Sequence, residues 1–328
     1  MKCLISIDTE ADNQWISSNQ LTVENLNFIP RFQALCESFH FIPTYLCTHE
    51  IVDSENFENT LLEFQDKGHA EIGSHLHPWS NPPFENPSEN LAHAFPTELS
   101  NALFKKKMSN LTDLIEHKAG RRPSSYRAGR WGLNASHIPV LLELGYIVDS
   151  SVTPFIDWNE TIGVKKHGED FRRAPCRAYS LNMKDVCKEG DSGLIEIPPT
   201  IVFLHGFMEK SKLLQEFYSK HSDSALAYRL DKLFNIGPKW LRPFPETSSD
   251  LLIKICKLAM TKNFQYVHLM FHSSELMPKG SPYTPTQETV DEIFDKLKNV
   301  FNFLVKSGVK PSTLNKFGSN FTSRNSRR

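Results

Sequence analysis

Residues 3–12 read CLISIDTEAD: a short apolar, β-branched run over 3–7, ending in the carboxylates Asp8, Glu10 and Asp12. Such a run is the pattern of a buried strand, and residues i and i+2 of a strand share a face. Asp8 and Glu10 therefore point the same way, with Asp12 reaching from the turn. Carboxylates crowded like this repel unless a cation or a proton separates them. A solvated acidic turn capping a helix is the competing account.

The same punctuation recurs along the chain. The strand candidate 70–72 runs into GSHLHPW, 124–127 into AGRWG, and 266–271 into HSSELMP. Further strand candidates lie at 44–47, 146–149 and 309–314. Helical spacing fills the intervals at 25–39, 57–67 (stopped by Gly68), 97–117, 138–144 (closed by Gly145), 250–261 and 286–305. Alternating strands and helices predict a parallel α/β architecture. In that class the site forms outside the carboxyl ends of the strands, so the polar clusters group by position. Residues 159–245 break the rhythm and are read as an insertion packing on the barrel over the site. One domain is expected over 1–316, with a polar, basic, disordered tail at 317–328.

Composition narrows the classes. The 328 residues are 39% apolar and 23% charged, with a formal net charge of −1 and a pI near 6.9. This argues against a nucleic-acid partner or a membrane-surface role. No apolar stretch approaches the ~20 residues of a membrane span. The start, MKCLISIDTE, lacks the regions of a signal peptide. Cys3, Cys36, Cys47, Cys176, Cys187 and Cys256 show no regular spacing and read as reduced thiols. A cytoplasmic location is expected.

His75 and His77, two apart after a strand, make a good metal-ligand pair, and imidazole with carboxylate suits zinc. Arg127 can hold a carboxylate ionised through paired hydrogen bonds. The glycines around Arg130 let backbone N–H groups approach a ligand. His272, at the end of an apolar run, suits a general acid. Trp79, Trp131 and Trp158 each follow a motif, and aromatic faces stack on sugar rings, although core tryptophans have the same look.

Taken together these residues resemble the polysaccharide deacetylase family (NodB homology, carbohydrate esterase family four). Five motifs appear in order: SIDTEAD, EIGSHLHPW, YRAGRWG, DSSVTPFIDW and LMFHSSEL. The forms HLHPW and FHSSELMP are similar to a branch associated with lipopolysaccharide and capsule biosynthesis. The resemblance implies a distorted (β/α)7-type barrel and a divalent metal, most often Zn2+, that removes N-acetyl or O-acetyl groups from a carbohydrate. It makes Asp8 the base, held by Arg127, and His272 the acid, positioned by Asp157. It makes His75 and His77 metal ligands with either Glu10 or Asp12. Trp79, Arg130, Trp131, Trp158 and Ser273 become substrate-binding candidates. The sequence departs from the family in two places. The motif-one acids are not adjacent, and the histidines stand two apart rather than four. A metal-dependent amidohydrolase of small non-sugar amides and a metal-free sugar-binding homologue are the alternatives.

Overall fold

The computed structural model describes residues 1–12, 14, 21–85, 91–221, 229, 231 and 233–325. Among the described residues a curled ten-stranded sheet has as its body seven parallel strands in the order Tyr266–His272, β1 (Lys2–Thr9), β2 (Thr44–Cys47), β3 (Glu71–Leu76), β4 (Ser125–Ala128), β5 (Val148–Asp149) and Ile195–Glu196, with Lys310–Pro311 parallel beside β1 and the hairpin Tyr179–Asn182/Asp185–Glu189 antiparallel on Ile195–Glu196. The ring closes through a loop rather than a ladder. Thr200, just past Ile195–Glu196, donates its N–H to the carbonyl of His268 at 3.0 Å. Its hydroxyl accepts from the His268 N–H at 2.8 Å. The expected distorted seven-stranded barrel is the architecture observed.

The strands are apolar where they meet helices. Ile5, Ile7, Phe32, Phe271 and Val300 share one buried cluster. Helix Asn101–Ala119 shows how local sequence sets this layer. The Ser100 hydroxyl caps it, accepting from Leu103 N at 3.2 Å. Leu103, Phe104, Met108, Leu111 and Ile115 form its inner stripe. Gly120, at φ 64°, ends it in the left-handed conformation. Lys107 lies on the buried side of this helix and donates to the carbonyls of Pro78 (3.1 Å) and Asn81 (2.5 Å). It thus ties down the loop that follows the paired histidines.

Three expectations change. The stretch 159–245 is not purely an insertion, because it contains the barrel strand Ile195–Glu196. Two residues, followed by Ile197 and then Pro198 and Pro199, are too short to show a period. The same stretch supplies the hairpin Tyr179–Asn182/Asp185–Glu189 and the pair Ile201–Phe203/Pro238–Trp240. The last strand shrinks to Lys310–Pro311. Finally, the tail expected to be disordered from 317 is helical over Leu314–Asn325, and residues 326–328 lie outside the described part. Leu314 and Phe317 are buried against Leu4, Val148, Ile195 and Tyr266. That apolar face, hidden among polar residues, plugs the barrel end opposite the motifs. All six cysteines are free thiols. Among the described residues, no helix is long and apolar enough to cross a membrane.

Candidate active site

Strand register assembles the site. Asp8 lies opposite His272, and His75 opposite Arg127, at the carboxyl ends of their strands. Glu10 follows just past β1. Its Oε2 is 2.7 Å from His77 Nε2 and 3.6 Å from His75 Nε2. These three buried side chains offer one donor atom each, all within 4.8 Å of one another. Two imidazole nitrogens and a carboxylate oxygen open on one side are a fitting donor set for a zinc-like ion. The surroundings fit it too. His75 Nδ1 is 2.9 Å from the Arg127 carbonyl, which turns Nε2 toward Glu10. Gly129 packs against His77 so closely that a Cβ there would lie 2.6 Å from Nδ1.

Asp12 does not join this group. Its carboxylate accepts from the N–H groups of Glu24 and Asn25, each at 2.8 Å, and from the Asn25 amide. It caps the turn at Glu24–Phe28. Of the two acids left open by the sequence, Glu10 is the one beside the histidines.

Asp8 faces the same space. Its Oδ1 lies 2.5 Å from Arg127 Nη1, and Arg127 is fully buried. Arg127 also donates to Ser6 Oγ (2.8 Å), Ser150 Oγ (2.9 Å) and the Ser150 carbonyl (2.8 Å). Burial pushes the Asp8 pKa up, but the Arg127, His75 and His272 charges outweigh it and hold the carboxyl below the usual aspartate range. Glu10 likewise resists burial, through hydrogen bonds with His75 and His77, and stays ionised. Burial lowers His75, yet Asp8 and Glu10 raise it above its ordinary value. Burial wins at His77, favouring the neutral imidazole.

His272 Nε2 points at the two acids, 3.8 Å from Asp8 Oδ2 and 3.9 Å from Glu10 Oε1. The residue holding its other nitrogen is not Asp157. Glu275 Oε1 lies 2.9 Å from His272 Nδ1 and accepts the His272 backbone N–H at 3.0 Å. Arg242 Nη2 is 2.6 Å from the same oxygen. Asp157 instead pairs with Arg172 at 3.2 Å and accepts from Asn159 N. Burial raises the Glu275 pKa, but Arg242 and His272 bring it below the usual glutamate value. Reasoning from strand ends missed Glu275 and Arg242. The spacing His-x-x-Glu within one tight turn was the available signal for Glu275. Arg242 lies in the aperiodic stretch, where no pattern marks it.

Asp8, Glu10, His75, His77, Arg242 and His272 line a cavity of about 290 Å3, whose wall also includes Trp79, Arg130, Trp131 and Trp158. Ser273, expected to touch substrate, is fully buried, and its hydroxyl accepts the Glu10 N–H at 3.3 Å. It fixes the Glu10 backbone instead.

The sequence matches no family model and no curated protein. Solved structures give fainter likenesses. A Mycobacterium smegmatis protein named as a polysaccharide deacetylase shares 17% identity, with 95% of this chain and 93% of that one covered and a TM-score of 0.47. A family 4 carbohydrate esterase from Streptomyces lividans, solved with acetate, shares 9%, with 95% and 91% covered and a TM-score of 0.42. A CE4 family pseudoenzyme from Bacillus anthracis also shares 9%, with 97% and 65% covered and a TM-score of 0.45. Each identity is below 25% and each TM-score below 0.5.

Proposed function

We propose that this chain is a metal-dependent hydrolase of the polysaccharide deacetylase type, removing N-acetyl or O-acetyl groups from a sugar of a cell-surface polysaccharide, lipopolysaccharide or precursor. The observation that carries this is the opposition of two arrays across one cavity. Glu10, His75 and His77 stand beside the Asp8–Arg127 pair, and His272 Nε2 faces them.

Glu10, His75 and His77 would hold the ion, most often Zn2+, which supplies Lewis-acid polarisation of the acyl carbonyl and a more acidic water. Asp8, kept ionised by Arg127, takes the proton from the attacking water. A backbone N–H near Trp131 donates to the carbonyl oxygen as it gains charge. His272 donates a proton from Nε2 to the departing sugar nitrogen or oxygen, while Glu275 holds Nδ1. The indoles of Trp79, Trp131 and Trp158 offer flat apolar faces to a sugar ring.

The test joins metal analysis to turnover on chitin oligomers and N-acetylhexosamine nucleotides. The wild type should take up about one equivalent of zinc, and His75→Ala or His77→Ala should lose it. Asp8→Asn and His272→Ala should each slow acetate release by roughly 10²–10⁴-fold. Wild-type rates in both variants would refute the roles given to Asp8 and His272.

A further inference from the structure

We infer that the acylated substrate carries a negative charge, a phosphate or a carboxylate, and that Arg130 is the residue that selects for it. This rests on the hydrolase reading of the cavity and adds the class of sugar it takes.

The charged side chains around the cavity are matched by partners, with one exception. Asp8 is matched by Arg127 at 2.5 Å. Glu10 is matched by the paired imidazoles and any ion they hold. Arg242 is matched by Glu275 at 2.6 Å. Arg130 has no such match. Its Nη1 and Nη2 donate to the carbonyls of His93 and Ile162, and its guanidinium stacks over Phe95 at 4.2 Å from the ring centre. Among the described residues no carboxylate pairs with it. The acid that acts on it through space, Glu98, is engaged by the backbone N–H groups of Val164, Lys165 and Lys166.

Two neutral carbonyls and a ring orient a cation without neutralising it. A half-buried, unneutralised guanidinium costs free energy, and a neutral amide side chain would bridge two carbonyls without that cost. The backbone is also forced. Arg130 has φ 52° and Trp131 φ 61°, two successive non-glycine residues in the left-handed region. Strain of this kind persists where the surroundings over-determine it and clusters at ligand sites. Arg242 adds a second feature: it is 6% exposed and lines the same cavity, yet its Nε–H has no acceptor among the described residues. A guanidinium fork matches phosphate and carboxylate oxygens in particular.

The test compares three probes by calorimetry on zinc-supplemented protein: methyl N-acetylglucosaminide, N-acetylglucosamine 1-phosphate and N-acetylmuramic acid. The wild type should bind at least one anionic probe about tenfold or more tighter than the neutral one. The phosphate and carboxylate arms identify which anion is read. Arg130→Met should bring the ratio to within about twofold of unity. Because zinc is common to both proteins, the difference isolates Arg130. Arg130→Lys keeps the charge and must retain a higher ratio than Arg130→Met. Equal ratios in the two variants would mean loop damage and overturn the assignment. So would a wild-type ratio near one, a preference unchanged in Arg130→Met, or no binding of any probe. Acetate release from the same probes separates the two readings. A charge preference lost in Arg130→Met without turnover leaves this inference and sinks the hydrolase. Turnover without charge preference does the reverse.

Discussion

The pair Arg242–Glu275 behind His272 makes a prediction whose size follows from its burial. Glu275 is fully buried and Arg242 is 6% exposed, so both charges have left water. Removing one partner of such a pair strands the other and costs about 3–5 kcal/mol. Glu275→Gln keeps the volume and an oxygen that can still accept from His272. The stranded Arg242 borders the cavity, where water can reach it, so about 3 kcal/mol is expected. Arg242→Met keeps the stem but loses the contacts over Phe244 (4.4 Å) and Tyr283 (5.3 Å) and strands a carboxylate with no exposure. About 4 kcal/mol is expected there. The double variant removes both charges and should cost less than the roughly 7 kcal/mol sum, by ~2 kcal/mol. Denaturant titration of the four proteins measures the cycle. Additivity within about 0.5 kcal/mol would refute the claim that the two side chains act as one unit.

Three further outcomes are expected. Gly129→Ala should weaken zinc binding about 10–100-fold, since the new methyl would press on the Leu76 carbonyl and on His77. Gly206→Ala, with open space at its Cβ, should not, and calorimetry on both compares them directly. Burial raises the pKa values of both Asp149 and Glu196, Glu196 well above its ordinary value. A raised folded pKa gives stability that is complete below the unfolded value and lost as pH climbs through the folded one. Wild-type stability should therefore fall upward from the ordinary carboxylate range, by at most about 1.4 kcal/mol per pH unit for one proton. Glu196→Gln should flatten this slope, and an identical pH profile for the two proteins would count against it. Acetate release by Glu275→Ala should drop further than by Glu275→Gln, because only Gln keeps an acceptor for His272 Nδ1. Equal rates would show that Glu275 does not position the imidazole.

Much of the barrel is legible because its strands are buried on both faces and end abruptly in charge. The apolar run 44–47 is bounded in sequence where β2 is bounded in space, and the acids and histidines at the ends of β1, β3 and 266–272 share one rim. Parity could not choose between Glu10 and Asp12, because 8, 10 and 12 all share it. The ladder of β1 stops at Thr9, and beyond it the chain turns Asp12 toward Asn25. Asp157 was expected to serve His272, but a partner three residues along the same turn is nearer than one across the rim. The C-terminal helix looked like a polar tail because Leu314, Phe317 and Phe321 are spaced thinly among Asn, Ser and Lys. Only their burial against the barrel floor shows the amphipathic face.

One turn explains why these parts act together. Residues 128–132 run from the last residue of β4 into the turn beyond it, and each has a separate duty. The Ala128 N–H donates to Ser151 Oγ at 2.8 Å, anchoring the turn to β5's end. Gly129 lets the chain pass against His77, where any larger residue would push the imidazole away from Glu10. Arg130 and Trp131, both in the left-handed region, turn outward from that fixed point: both side chains line the cavity, and the Trp131 ring lies 5.1 Å from the Arg127 guanidinium that holds Asp8. Gly132 closes the turn on the Gly129 carbonyl at 3.0 Å and passes tightly by Pro96. The His77 imidazole, the Asp8 carboxylate and the Arg130 guanidinium are therefore set by a single backbone path. A shift of that path would disturb all three, which is why strain is retained there rather than relieved.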